Sequence, residues 1–174
     1  MKKISTILIL MISCVMLTGC GSNPYKMGIK NLENGEYSKA AEYFEEAVEK
    51  EKKLADSYRG LGISLWEQGA YEEAISAFEN ALSEGTKENA TIYSLLGNCS
   101  MKTEKYDKAV EYYEKALTMK DIDEELQQET EYNLIAAYEY AGEIDKAKEH
   151  VSNYLEKYPD DEAVLREAEF LETR

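Results

Sequence analysis

Small and aromatic residues recur at helical spacing through most of the chain, and charged residues fill the positions between them. Ala40, Phe44 and Ala47 stand at i, i+4 and i+7, so they form one stripe along a helix. Alanine in such a stripe lets a second helix approach closely, and the aromatic ring fills the groove between the two helices. The pattern therefore predicts amphipathic helices that pack in pairs.

The stripe belongs to a longer unit that recurs after 34, 35 and 38 residues. The first unit contains Gly28, Gly35, Tyr37, Ala40, Phe44 and Ala47; the second Gly62, Gly69, Tyr71, Ala74, Phe78 and Ala81; the third Gly97, Glu104, Tyr106, Ala109, Tyr113 and Ala116; and the fourth Ile135, Gly142, Ile144, Ala147, Val151 and Tyr154. A unit of this length accommodates two helices and a turn. We therefore predict an all-α fold, an α-solenoid of about four helix-turn-helix units.

Glycines occupy two different places in these units. Gly35, Gly69 and Gly142 come where a first helix should end, and we expect them to adopt the left-handed conformation that closes such a turn. Glu104 replaces this glycine in the third unit, so that turn should be strained or closed differently. Other glycines, such as Gly62, lie inside predicted helices, where close packing of a neighbouring helix would compensate for their low helix propensity.

These residues make the segment 22–159 resemble the tetratricopeptide repeat (TPR) family, whose 34-residue unit has small and aromatic residues at the same places. The chain departs from the family pattern at the ends of its first three units, where Lys52, Thr86 and Asp121 replace the usual proline. Only the fourth unit keeps that proline, as Pro159. The resemblance implies stacked units with a concave groove lined by the first helix of each unit.

The end of the predicted solenoid differs from its middle. The fourth unit has a longer first helix or loop, around residues 122–128. Beyond Pro159, apolar residues recur at mostly helical spacing, which predicts a capping helix at about 160–174. A solenoid needs such a helix because its last unit would otherwise expose an apolar face.

The first twenty residues have the features of an export signal. Lys2 and Lys3 precede an apolar stretch, residues 4–18, that is too short to span a bilayer comfortably. The stretch closes in Leu17-Thr18-Gly19-Cys20, which resembles the lipobox of bacterial lipoprotein signal peptides. That resemblance implies cleavage before Cys20 and attachment of acyl chains such as palmitate there. The predicted division is a signal peptide (1–19), a lipidated cysteine with a short tether (20–24) and a TPR domain with its capping helix (25–174).

Two other interpretations of this segment are an ordinary signal peptide with an accidental cysteine and an uncleaved anchor. The cysteine content favours the lipobox, because Cys14 would leave with the signal and Cys20 would be alkylated. Cys99 would then be a single thiol, which cannot form an intramolecular disulfide. Two or three acyl chains make membrane attachment stable. We therefore expect a protein anchored to the extracytoplasmic face of the cell membrane, or to the outer membrane if the cell has two.

The charge of the chain restricts its partners. It carries 35 acidic and 20 basic side chains, and removal of Lys2 and Lys3 with the signal would change the net charge from −15 to −17. Phosphates of nucleic acid would be repelled, and a polybasic contact with anionic lipid is not available. Most acidic residues alternate with lysines in helical runs, as in the segment 42–50, which is typical of a solvated helix face.

The chain offers few groups for catalysis. His150 is the only histidine, so neither a histidine-based triad nor a multi-histidine metal site is expected, and an exposed helical position is its simplest interpretation. Cys99 follows a packing glycine by two residues, which favours a buried apolar role over a nucleophilic one. No phosphate-binding loop is present. We predict that the protein is not an enzyme and uses no cofactor or metal.

The family resemblance places function in the concave groove, which usually holds a partner's peptide or helix. The repeat pattern projects ten residues of the first helices toward it: Arg59, Ile63, Trp66, Ser94, Asn98, Met101, Lys102, Tyr132, Ala136 and Tyr140. Tryptophan and arginine are frequent binding hot spots, and Asn98 could pair with a peptide backbone, although packing is as good an explanation for Trp66. A family clamp for C-terminal carboxylates is disfavoured, because its positions are occupied by Tyr25, Ile29, Gly60, Thr91 and Leu95.

Anchor and groove together suggest a lipid-anchored scaffold that binds a protein or peptide partner in the bacterial cell envelope. The segment from Gly21 to Pro24 would hold the groove within about 14 Å of the lipid. Lipoproteins of this repeat family serve outer-membrane protein insertion or pilus assembly, but no residue selects either role. The alternatives are a peptide- or solute-capturing lipoprotein that serves a transporter, and an accessory subunit of a cell-wall enzyme or a secretion or pilus assembly machine.

Overall fold

The computed structural model describes residues 23–173, and this part of the chain forms nine helices and no strand. The helices are α1 (Pro24–Glu33), α2 (Tyr37–Glu49), α3 (Leu54–Glu67), α4 (Tyr71–Ser83), α5 (Ala90–Lys102), α6 (Tyr106–Leu117), α7 (Glu124–Tyr140), α8 (Ile144–Lys157) and α9 (Glu162–Glu172). The proposed signal peptide, Cys20 and most of the tether lie outside the described residues. Within residues 23–173, no helix is both long and apolar enough to cross a membrane.

Helices pack in consecutive pairs that stack along the chain. Three residues join α1 to α2, α3 to α4, α5 to α6 and α7 to α8, and each pair packs as one unit. Each second helix also packs on the first helix of the next unit, and α8 packs on α9. Because α1 touches α3 and α5 touches α7, the first helices lie side by side on one face. The prediction of an all-α solenoid with a C-terminal capping helix is confirmed.

The turn inside each unit has a left-handed residue. Gly35, Gly69 and Gly142 have φ of 72°, 76° and 80°, as expected for helix-ending glycines. Glu104 adopts the same conformation, with φ 59°, and the next amide, of Lys105, donates to the Ser100 carbonyl at 2.8 Å. The third turn therefore closes like the others, and the expected strain lies in the backbone of Glu104.

The alanine and aromatic stripes form the core. Ala40, Phe44 and Ala47 are fully buried, and their counterparts in the next unit are equally buried. A Cβ atom added to Gly62 would lie 2.6 Å from a Phe78 ring carbon, and one added to Gly97 would lie 2.4 Å from the Tyr113 ring. Glycine inside these helices is therefore required by the close approach of the aromatic ring from the second helix.

The irregular places in the repeat pattern have structural explanations. The extra residues of the fourth unit extend its first helix, because α7 begins at Glu124 and Asp123 caps it by accepting from the Leu126 amide at 2.9 Å. On the capping helix, Val164 near its start and Leu171 near its end are each 1% exposed and belong to the same apolar cluster as residues of α8. The apolar spacing of the tail thus marks the face that covers the last unit.

Candidate partner-binding groove

An open depression of about 310 Å³ lies where the first helices of three units meet. It is lined by Trp66, Asn98, Met101, Lys102, Tyr113, Asn133 and Ala136. Five of these seven residues were predicted to face the groove; Tyr113 and Asn133 were not. Asn133 could have been predicted, because it is a polar residue of α7 one helical turn before Ala136. Tyr113 lies on α6, a second helix, and its place in the aromatic stripe indicates core packing only.

Apolar side chains form part of this depression. The Trp66 ring packs against Tyr71 with 5.1 Å between ring centroids, and the indole is half-buried. Met101 is likewise half-buried against the core formed by the later units. Both side chains therefore have a packing role and a solvent-facing edge, so Trp66 both packs and faces the groove. Such rigid, partly buried aromatics are suited to act as binding anchors.

Asn98 lies at the centre of a polar network. Its Oδ1 accepts from the Tyr113 hydroxyl at 2.6 Å and from Asn133 Nδ2 at 3.2 Å. Tyr113 is 1% exposed, and burial raises the pKa of its phenol well above the ordinary value, so the hydroxyl stays protonated and donates. The network joins both helices of the third unit to the first helix of the fourth.

Other predicted groove residues lie apart from this depression. Arg59 lines a separate depression at the start of α3, and its guanidinium is 3.5 Å from the Asp56 carboxylate. Tyr140, 65% exposed, stacks on Tyr106 at the end of α7, with 5.1 Å between centroids. Tyr132 is exposed on α7, and Ile63 is half-buried against the core. These four residues do not line the depression that contains Trp66 and Asn98.

The prediction that Ser94 faces the groove is wrong. Its side chain is 4% exposed, and its hydroxyl lies 2.7 Å from that of Thr130. The physical reason is that α5 packs directly on α7, so two small polar residues fill the contact and satisfy each other. A partner in the groove cannot reach Ser94.

Cys99 and His150, whose side-chain types are often used in catalysis, both pack against other residues. Cys99 is fully buried, as expected, and burial raises the pKa of its thiol to about 12, so it carries no thiolate at neutral pH. The sequence predicts an exposed His150, but the structure shows it half-buried. Its ring packs on Tyr138 with 5.0 Å between ring centroids. Across residues 23–173, no three His, Cys, Asp or Glu side chains group as a metal site would require.

Comparison with known proteins gives one family and several similar structures. A family model described as tetratricopeptide repeat matches residues 25–87 and 59–124. The crystal structure of YrrB, a TPR protein with an unusual peptide-binding site, has a TM-score of 0.73 and 22% identity over 85% of this chain and 74% of that chain. MamA AMB-1 has a TM-score of 0.71 and 23% identity over 85% of this chain and 78% of that chain. No curated protein sequence matches significantly.

Proposed function

Because the chain belongs to the tetratricopeptide repeat family, we propose that it is a lipid-anchored scaffold whose concave groove binds a protein or peptide partner in the bacterial cell envelope. The observation that carries this proposal is the convergence of side chains from three units on one open depression: Trp66, Asn98, Met101, Lys102 and Ala136, together with Asn133. Apolar, hydrogen-bonding and cationic groups meet there, as a protein-binding surface requires. YrrB, of the same fold, has a peptide-binding site.

The groove is better suited to binding a macromolecule than to catalysis or to enclosing a solute. The principal depressions among the described residues measure about 220 to 470 Å³ and open to solvent, so none of them would surround a small ligand. The Cys99 thiol, on the same helix as Asn98, is buried and protonated. These features favour the scaffold over the solute-capturing alternative.

The anchor in this proposal depends on Cys20 and its lipobox. Since α1 begins at Pro24, only residues 21–23 would separate a lipidated cysteine from the first helix. An extended segment of three residues reaches about 10 Å. The groove would therefore work close to the membrane surface, on a partner that is itself in the envelope.

One crosslinking experiment in intact cells tests anchor and groove together. A photo-crosslinking side chain is placed at position 102 in the groove or, as a control, at position 80 on α4, where Asn80 is exposed and outside the depression. We expect a discrete crosslinked species in the membrane fraction from position 102 and not from position 80. Trp66→Ala should reduce its yield at least severalfold.

Cys20→Ala separates the two parts of the proposal. We expect this variant to leave the membrane fraction, because the acyl chains supply the membrane affinity. A variant that stays in the membrane fraction would contradict the lipobox. Crosslinking that is equal at the two positions, or unchanged by Trp66→Ala, would contradict a binding role for the groove whatever the result of fractionation.

A further inference from the structure

Another open depression, of about 420 Å³, lies at the edge of the solenoid where the turns inside the third and fourth units meet. We call it the turn-edge depression, and it is lined by Glu104, Lys105, Tyr106, Asp107, Lys108, Tyr140 and Ala141. The last turn of α7 and the turn between α5 and α6 supply these residues. The depression around Trp66 and Asn98 contains none of them. The turn-edge depression is therefore a separate surface.

Two stacked tyrosine rings form an aromatic platform in this depression. Tyr106, at the start of α6, and Tyr140, at the end of α7, have ring centroids 5.1 Å apart and planes inclined by 20°. Tyr140 is exposed, so one face of the pair is open to solvent. Within residues 23–173, other tyrosines hold a cation over the ring, as Tyr93 holds Lys115 at 4.3 Å, but no lysine or arginine lies over this pair. The platform can therefore take a cation from another molecule.

The charges in the turn-edge depression are unevenly compensated. Its two lysines are paired with carboxylates that lie outside it: Lys105 with Glu72 of α4, and Lys108 with an acid of α6 at 2.8 Å. Within the part of the chain that the structure describes, the side chains of Glu104 and Asp107 make no ion pair and no hydrogen bond. Two carboxylates beside the aromatic platform are thus left uncompensated, which favours a cationic ligand.

The backbone of Glu104 supports a role for its side chain in binding. This residue has φ 59°, in a position that glycine occupies in the other three turns within residues 23–173. The fold itself makes no demand on the Glu104 side chain, since it contacts no partner, yet the side chain costs strain in the backbone. Strained positions of this kind occur preferentially at functional sites. A carboxylate that lines a depression gives the strained position a use.

We propose that the turn-edge depression binds an arginine side chain of a partner polypeptide, with the guanidinium stacked on Tyr140 and hydrogen-bonded to Glu104 or Asp107. A guanidinium is planar, weakly hydrated and permanently charged, so it can stack on an aromatic face and donate to a carboxylate at the same time. A lysine ammonium has no planar face, and an anionic group would be repelled by both acids. This site lies outside the groove around Trp66, so it adds to the proposed function and does not depend on it.

A nuclear magnetic resonance titration of the ¹⁵N-labelled protein, purified in a non-ionic detergent, tests this inference. The probe is a peptide with blocked termini and a single arginine between Gly-Ser repeats. The control peptide has citrulline, which keeps the shape of arginine without its charge. We expect the arginine peptide to shift the amide signals of residues 104–108 and 140–141 most, and the citrulline peptide to shift them about threefold less or weaker still at equal concentration.

Substitution of the exposed ring tests the aromatic contact. Tyr140→Ala should weaken binding of the arginine peptide about threefold or more, because the guanidinium loses the face on which it stacks. Tyr132→Ala is the matched control, since Tyr132 is an exposed tyrosine of the same helix outside the turn-edge depression, and it should leave the affinity unchanged.

Neutralisation of the two acids tests the electrostatic contact. Glu104→Gln combined with Asp107→Asn should weaken the arginine peptide about tenfold, because the charge-assisted hydrogen bonds are lost while the side chains keep their size. Glu42→Gln combined with Glu45→Gln removes the same total charge from the exposed face of α2 and should have little effect. Unchanged amide signals away from the substituted residues would show that each variant keeps its fold.

Three results would overturn this inference. One is a set of shifts spread evenly over the acidic surface, without an excess at residues 104–108 and 140–141. The second is equal binding of the arginine and citrulline peptides, and the third is binding that Tyr140→Ala leaves unchanged. None of them would affect the groove proposal, because crosslinking from position 102 and its loss on Trp66→Ala are measured at a different surface.

Discussion

Backbone conformation at residue 104 carries a cost that the equivalent turns avoid. At φ 59° the Cβ of Glu104 crowds the backbone, whereas Gly35, Gly69 and Gly142 have no Cβ at the same place. The turn forms nevertheless, because it closes the same pair of hydrogen bonds as its counterparts and is held by α5 and α6 on either side. Local strain of this kind is offset by packing of the whole unit.

Glu104→Gly should therefore stabilise the protein by about 1 kcal/mol, since it removes the left-handed penalty at a position with no other demand on the side chain. Urea unfolding measured by circular dichroism would show the midpoint moving to higher concentration at unchanged slope. Glu84→Gly is the matched control: Glu84 ends α4 with φ −83°, so glycine there should be neutral or destabilising. Equal effects of the two substitutions would contradict the interpretation.

At the scale of elements, the capping helix is attached to the last unit through one carboxylate. Asp161 caps α9 by accepting from the amides of Ala163 and Val164 at 3.0 and 3.2 Å. Its second oxygen accepts from the Tyr154 hydroxyl of α8 at 2.8 Å, and that hydroxyl also accepts from Gln128 of α7 at 3.1 Å. Three helices thus meet at a single hydrogen-bonded junction.

This junction predicts a pH dependence of stability. The Tyr154 hydroxyl, and then the Val164 amide, lower the pKa of Asp161 below its ordinary value. A carboxylate with a lowered folded-state pKa stabilises the fold above its unfolded-state pKa, about 3.9, and loses that contribution as pH falls through the folded-state pKa. Asp161→Ala should cost about 1 kcal/mol at pH 7.

The measurement is urea unfolding of wild type and variant between pH 7 and pH 3. The difference in unfolding free energy should stay constant down to about pH 5 and shrink below pH 4. Asp161→Asn keeps an acceptor oxygen for the cap but cannot ionise. Its difference in unfolding free energy from the wild type should therefore be smaller than that of Asp161→Ala at pH 7 and should shrink over the same pH range. A difference that grows on acidification would show that the sign of this linkage is wrong.

At the scale of the whole molecule, the core is a series of neighbouring contacts rather than one centre. Within residues 23–173, three apolar clusters follow one another along the stack, and Tyr58 and Leu65 of α3 pack against both the first and the second. The last cluster, around Tyr138, includes Leu171 of the capping helix. Because each unit contacts mainly its neighbours, a substitution at one end of the stack should lower the stability of that end and leave the other end unchanged.

Leu171→Ala tests this locality. Leu171 is 1% exposed, so loss of its side chain should cost about 2 to 4 kcal/mol of local stability. Hydrogen exchange followed by mass spectrometry should show faster exchange in α8 and α9 and unchanged exchange in α1 and α2. Leu165→Ala on the same helix, where Leu165 is 42% exposed, should change little. Uniformly faster exchange along the chain would indicate a single cooperative core instead.

The candidate site was only partly predictable from the sequence. Trp66, Asn98, Met101 and Lys102 could be assigned to the groove because helical periodicity determines which face of a first helix a residue occupies. Ser94 occupies the same face, yet it is buried because α5 and α7 approach each other directly at that level. Periodicity gives the direction of a side chain but not the distance to the neighbouring helix, which depends on how the units stack.

The sequence by itself determined the helices, their turns and their packing stripes, because φ, ψ and the helical period are local properties of the chain. For the third turn the sequence left two outcomes, strain or a different closure, and the structure shows the same closure with Glu104 in the left-handed conformation. Only the tertiary structure decided that Asn98 meets Asn133, 35 residues away, while Tyr113 fixes the Asn98 amide. That arrangement depends on the rotation between stacked units. The rotation is set by many side-chain contacts between neighbouring units, so the sequence of one repeat does not determine it.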